Sequence, residues 1–243
     1  MHVTNHAAET SPRKYAKIAG LLYIVVIVAG AFAQFFVRSK LIVPGDAAAT
    51  AGNIMASEWL FRFSIVSDLI AAVCYFLLAL ALYVLLKPVN KNLALLFVFL
   101  VSISTAIFCL NFLNQFAALL LLGGAGYLSV FDRNELQALV LFFLDMHGHG
   151  YVIANIFFGG WLFPLGYLVF KSGFFPKTLG VLLMLAAFGY LIPFFTTFLL
   201  PNYEVMAYPG LIVAVIAEVS FCLWLLIKGV NVEQWQKRAL ESA

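Results

Sequence analysis

Six stretches of the chain, at roughly 18–37, 59–86, 93–122, 151–170, 177–199 and 209–228, run on with very little charge. A helix needs about 20 apolar residues to cross a hydrocarbon layer about 30 Å thick. A backbone inside that layer has no water to bond, so its polar groups must satisfy one another. Together these limits predict an all-α fold, a polytopic integral membrane bundle of six transmembrane helices. Composition removes the soluble alternatives. Hydrophobic residues make up 64% of the 243 and charged residues 10%, against about 45–50% and 25% in soluble domains. So few charges cannot coat a core in water. A soluble enzyme, a nucleic-acid binder, a disordered regulator and a secreted disulfide scaffold are therefore excluded. The expected partners are the lipid bilayer and a small-molecule or lipid ligand, with no nucleic acid.

The stretch 136–170 is too long for one crossing: as a single helix it would extend about 52 Å. Gly148 and Gly150 offer a break. That leaves an extra outer-face helical segment near 134–147 and a span after it. The whole chain then reads as a single membrane domain over 1–243, with 1–14 and 232–243 as cytoplasmic tails.

Basic residues orient the bundle, because short cytoplasmic loops collect Lys and Arg. Arg13, Lys14, Lys17, Lys87, Lys91, Lys171, Lys177, Lys228, Lys237 and Arg238 fall on one side of the alternating spans, and Arg38, Lys40, Arg62 and Arg133 on the other. The expected topology is N-in/C-in, in a prokaryotic plasma membrane. Cleavage after Ala31-Phe32-Ala33, as in a signal peptide, would leave that topology unchanged. The segment stays apolar through Val37, which favours a retained helix.

An aromatic residue precedes the inner-end lysine by four in three spans: Tyr83 and Lys87, Tyr167 and Lys171, Trp224 and Lys228. The two share a helix face, with the ring at headgroup level and the lysine reaching water. A repeated helical hairpin would give the same pattern. Cys74, Cys109 and Cys222 have no paired spacing, which predicts buried apolar residues and neither disulfide nor metal finger.

Orientation converts position into depth at about 1.5 Å per residue. Gln34 lies about 25 Å beyond Lys17, Asp68 about 28 Å beyond Lys87, and Asn155 about 24 Å beyond Lys171. Asn111, Asn114 and Gln115 lie about 28–34 Å beyond Asn92, at spacings that place them on one face. Arg62, Asp145, His147 and His149 lie further out. Polar side chains within a bilayer face protein or a water-filled cavity. Two readings stand: an outward-facing polar cavity, or a solvated collar on helices that overrun the layer. Glu58 and Arg62, four apart, read as a surface ion pair, or Arg62 offers its fork to an anionic group.

Glu218 is different, about 15 Å from Lys228 and so near the bilayer midplane. Such an acid either carries its proton or is held by hydrogen-bond donors, for which Tyr75 and Tyr190 lie at similar depth. In Asp145-Met146-His147-Gly148-His149 the i, i+2 spacing sends the two imidazoles to opposite helix faces. Chelation would need the chain unwound, so no metal and no cofactor are assigned. The candidate substrate-binding set is Arg62, Asp68, Asn111, Asn114, Gln115, Asp145, His147, His149, Asn155 and Glu218.

Longer motifs run through the same regions. They are Glu58-Trp59-Leu60-Phe61-Arg62 leading to Ser67-Asp68-Leu69-Ile70, LALYVLLKPVNKNLALL from Leu80, Leu144-Asp145-Met146-His147-Gly148, GYLVFKSGFFPKTLG from Gly166, Leu200-Pro201-Asn202-Tyr203-Glu204, and Glu218 running on to Lys228-Gly229-Val230-Asn231. Over 11–231 the chain resembles domain-of-unknown-function family 4386, a group of bacterial and archaeal membrane proteins. The resemblance implies a polytopic helical domain with a retained first span and no established activity.

Three functions compete. The favoured one is binding or transport of a small molecule or lipid through the outward cavity, with proton coupling at Glu218 as its sharper form. The second is an intramembrane, hydrolase-like enzyme using His147 or His149 with Asp68 or Asp145, and Ser67 as the available nucleophile. The third is a non-catalytic partner subunit.

Overall fold

The computed structural model describes residues 11–242. Residues 1–10 and 243 of the expected tails lie outside the described residues. No strand occurs among the described residues. Helix α1 (Pro12–Ala31) runs into a π-helical segment (Phe32–Arg38) and a last short turn, α2 (Ser39–Leu41). Helices α3 (Ala47–Ala56), α4 (Glu58–Leu86), α5 (Lys91–Leu122) and α6 (Arg133–Ser172) follow. The chain continues through α7 (Lys177–Leu199), a 3₁₀ stretch (Pro201–Met206), α8 (Ala207–Ile227) and α9 (Val232–Glu241).

Six helical runs among the described residues are long and apolar enough to cross a membrane: Pro12–Leu41, Glu58–Leu86, Lys91–Leu122, Arg133–Ser172, Lys177–Leu199 and Tyr208–Ile227. The chain is a multi-pass, all-helical membrane protein. Its exposed side chains include Phe35, Phe99, Leu110, Phe163 and Ile212, a surface suited to lipid and not to water.

Helix starts are set by side chains that accept the free N–H groups of a first turn. Asp46 Oδ1 accepts from Ala49 N at 2.8 Å, Asn90 Oδ1 from Leu93 N at 2.9 Å and Asn231 Oδ1 from Gln234 N at 3.1 Å. Asp132 and Glu135 form a reciprocal capping box at α6, with N–O distances of 2.9 and 2.8 Å.

The structure corrects the expected break at Gly148 and Gly150: α6 is continuous for 40 residues, so the separate outer segment at 134–147 is the first part of the same helix. A glycine inside a helix costs only about 1 kcal/mol relative to alanine, and Gly150 serves a contact. A Cβ there would collide with the side chain of Asn111. The glycine admits a polar neighbour and leaves the helix intact.

Burial of the cysteines holds only for Cys222; Cys74 is half-buried and Cys109 exposed. An apolar thiol is as compatible with a lipid-facing position as with a core. The tail after 231 is also not featureless. It forms α9, pinned where Trp235 Nε1 donates to the Leu85 carbonyl at 2.9 Å.

The chain groups into two compact units. Among the described residues the first comprises 11–24, 74–104 and 155–242; the second comprises Val25–Val73 and Thr105–Ala154. Small residues let helix backbones meet in the first unit, the usual device where lipid removes any hydrophobic drive between helices. A Cβ on Gly166 would stand 2.7 Å from the Gly180 carbonyl oxygen, and one on Gly180 2.6 Å from Phe170 N. Gly189 and Gly210 bring α7 and α8 together in the same way. Pro193, inside α7, cannot donate to the Gly189 carbonyl four residues back, so the ladder is interrupted beside that crossing.

The second unit is built on an apolar cluster of Val37, Leu41, Ile54, Phe61, Ile65, Ala118, Leu119, Val140 and Leu144. Within it α3 fastens the chain after α2: Thr50 Oγ1 accepts from Val43 N at 2.9 Å, and Asn53 Nδ2 donates to the Leu41 carbonyl at 3.2 Å.

Gly189→Ala is expected to destabilise the protein by about 1–3 kcal/mol, the usual cost of overpacking. Gly30→Ala, whose Cβ meets nothing within 4 Å, should be neutral or stabilising by up to about 1 kcal/mol. Thermal unfolding in detergent compares them, and equal losses would contradict the close packing of α7 and α8.

Candidate functional site

Six polar residues of the second unit, Gln34, Arg38, Asp68, Asn111, Asn114 and His147, join through Gln115 into one network. It starts at the π-helical segment. A π turn is wider than an α turn and is found disproportionately at functional positions. Here it carries helix past Val37, and both Val37 and Arg38 are buried. Val37 joins the apolar cluster, while Arg38 reaches Asp68 on α4. The Arg38 Nη1 donates to Asp68 Oδ2 in a buried, charge-assisted hydrogen bond, and its Nε donates to Gln34 Oε1 at 2.9 Å. Each side chain of the pair is only 8–9% exposed.

Gln115 continues the chain from α5. It stands beside the Asp68 carboxylate, and its Nε2 lies 3.1 Å from His147 Nε2. His147, on α6, holds its other ring nitrogen 3.3 Å from the Asn111 carbonyl. The tautomer with its proton on Nδ1 satisfies both contacts: Nδ1–H donates to the carbonyl, and Nε2 accepts from the Gln115 amide. Asn111 Nδ2 donates to the His147 carbonyl at 2.9 Å, and Asn114 Nδ2 donates to Asn111 Oδ1 at 3.0 Å. The Gly150 gap makes the first of these possible. Gln115 is fully buried, yet its Oε1 has no hydrogen-bond partner. Buried polar atoms nearly always have one, so this acceptor is bonding capacity that the network leaves unused.

Of the candidate residues, Asp68, Asn111, Asn114, Gln115 and His147 are brought together. Arg62 is not: it pairs at 2.7 Å with Glu58 on the exposed side of α4. Asp145 and His149 are exposed on α6, and His149 Nδ1 contacts the Asp145 carbonyl of its own helix at 2.9 Å. His147 and His149 thus diverge, as their spacing predicts. Ser67 Oγ donates to the Ala29 carbonyl at 3.2 Å. Among the described residues no three His, Cys, Asp or Glu side chains gather closely enough to hold a metal ion.

Asn155 and Glu218 belong to the first unit. Asn155 is buried, with Oδ1 unpartnered. Glu218 on α8 is held by two phenols: Tyr23 Oη donates to Oε2 at 2.8 Å and Tyr190 Oη to Oε1 at 2.6 Å. Tyr190 is one of the two expected donors. The other, Tyr75, packs its ring edge-on against Phe158 and Trp161.

Two participants escape the sequence reading, Arg38 and Tyr23. Arg38 reads as a loop cation because an α-helical count ends the span at Val37. The signal available was Gln34, four residues earlier, which shares a helix face with it. Tyr23 sits in an unbroken apolar run with no neighbouring polar residue, and nothing in the sequence singles it out.

A bundle of membrane-length helices with an internal polar network defines the class as a polytopic membrane protein with buried ionisable groups. The chain belongs to the family described as domain of unknown function (DUF4386), which it matches over residues 18–229. It is similar to an uncharacterized protein of Archaeoglobus fulgidus, at 32% identity over 172 residues, covering 69% of this chain and 84% of that protein. No solved structure matches.

Removing one partner of a buried ion pair typically costs about 3–5 kcal/mol, because the other charge is stranded, whereas replacing both with apolar groups can be neutral. Arg38→Met and Asp68→Leu should each lower the thermal midpoint strongly, and the double variant should recover most of the loss. Simple additivity across that double-mutant cycle would show that the pair is not coupled as its geometry requires.

Proposed function

We propose that the protein binds or transports a small polar molecule or lipid headgroup at the Arg38–Asp68–Gln115–His147 network. The observation that carries this is the convergence of Arg38, Asp68, Gln115 and His147, from four separate helical segments, with one fully buried acceptor left over. Ionisable residues within membrane-length helices are costly, and where they persist they generally mark substrate or ion paths. Arg38 uses Nε and Nη1 toward Gln34 and Asp68, and its planar fork has further donors to offer. Asp68 accepts and Gln115 presents a free carbonyl oxygen. A ligand with both an acceptor and a donor, such as a small zwitterion or hydroxy acid, matches this set.

With the basic residues facing the cytoplasm, both chain ends lie inside and the network lies toward the outer face of a prokaryotic plasma membrane. Glu218, held between Tyr23 and Tyr190, is the group that would carry a proton in a coupled form of transport. The hydrolase reading is the less favoured one: His147 and Asp68 share the network only through Gln115, Ser67 donates to the Ala29 carbonyl, and His149 contacts its own helix.

The test is a thermal-shift screen of full-length protein against amino acids, small carboxylates, polyols and amines, followed by uptake of any hit into proteoliposomes. A stabilising solute should bind about 5–30-fold more weakly to Gln115→Leu, the scale of one buried hydrogen bond. Arg62→Gln, outside the network, should bind it normally. Should every hit bind Gln115→Leu and Asp68→Asn as tightly as the parent, the network is not the recognition site.

A further inference from the structure

The first unit carries a second place with unused bonding capacity. A cavity of about 370 Å³ lies where α8 ends and α9 begins, and Arg13 at the start of α1 reaches it. That volume falls within the range of small-ligand pockets, about 300–1,000 Å³. Gly229, in the left-handed region at φ +67°, ends α8 and turns the chain. Asn231 then caps α9, and its N–H donates to the Phe174 carbonyl at 3.3 Å. The walls include Arg13, Lys228, Trp224, Phe174, Asn231 and Val232, and none of the described residues lining it is acidic.

Two of these carry cationic donors, and a third has a donor buried in the wall. The Arg13 and Lys228 side chains have neither an ion pair nor a hydrogen bond among the described residues. Trp224 Nε1, a donor only, is buried and also has no partner. Trp224 and Lys228 stand four apart on α8, on one helix face. A guanidinium fork, an ammonium and an indole N–H without any carboxylate complement an anion with several oxygens. Phosphate is the closest match to that set, since Arg binds it in bidentate fashion and Lys as a point charge. Arg13 and Lys228 also stand at the termini of two helices long enough to cross a membrane. That is the level of lipid headgroups, where tryptophan collects and basic pockets take anionic heads.

We propose that this cavity is a phosphate-binding site, filled by the headgroup of an anionic phospholipid or by a free phosphate ester. It is independent of the network around Arg38.

The experiment uses full-length protein in neutral detergent, titrated with phosphatidylglycerol, phosphatidylcholine and sn-glycerol 3-phosphate, and read by native mass spectrometry and tryptophan fluorescence. Phosphatidylglycerol should bind saturably and more tightly than phosphatidylcholine, whose quaternary ammonium would face two cations. Arg13→Gln and Lys228→Gln should each weaken it about fivefold. Trp224→Phe, which keeps the ring and removes the donor, should weaken it and abolish the fluorescence response. Binding of glycerol 3-phosphate as tight as that of the lipid assigns the site to free phosphate esters; binding of the lipid alone assigns it to headgroups. The proposal is overturned if neither binds the parent protein, if phosphatidylcholine equals phosphatidylglycerol, or if the folded Arg13→Gln/Lys228→Gln double variant binds unchanged.

Discussion

Arg38 and Asp68 take two full charges out of solvent at one point, and the second unit is arranged around that fact. Desolvating an ion costs several kcal/mol, and a partner offsets this only when the geometry is good and the remaining donors and acceptors are occupied. Each neighbour contributes to that condition. The π segment swings Arg38 inward beside Val37, so one turn supplies both a charge and a core residue. Gln34 takes the guanidinium Nε. Gln115 supports the carboxylate and passes the connection to His147, whose orientation depends on Asn111 and on the missing side chain at Gly150.

The first unit solves a different problem. Its helices carry few polar groups and meet through glycines, at Gly166 and Gly180 and again at Gly189 and Gly210. Close backbone approach replaces charge pairing as the source of specificity. Glu218, an acid within a membrane-length helix, is held by two phenols in place of a cation. Neither oxygen is left without a donor.

The helical class and the six spans are legible because hydrocarbon thickness imposes a length that no other constraint mimics. The faces of α5 and α6 follow from helical spacing: Asn111, Asn114 and Gln115 turn up together, and His147 separates from His149. Tyr190 is found as a partner of Glu218 because depth along a helix is countable. Legibility fails where the backbone leaves the α period. Ending the span at Val37 hides Arg38, because a π turn leaves no mark in composition. Reading Gly148 and Gly150 as a break fails for the opposite reason, since a glycine admits both a bend and a close contact. Only the neighbour, Asn111, decides between them. Which helices lie side by side is not encoded in any one segment, so the pairing of Tyr23 with Glu218, 195 residues apart, cannot be read from sequence.

The unbroken length of α6 has a consequence for hydrophobic mismatch. Forty residues extend about 60 Å, and even a tilt of about 40°, the upper end of those observed, shortens the projection only to about 46 Å. About a third of the rod must therefore stand clear of a layer about 30 Å thick. A short turn ties the Ser172 end to α7, whereas the opposite end opens with Arg133, Asn134 and Glu135, so the Arg133 end is the one that projects.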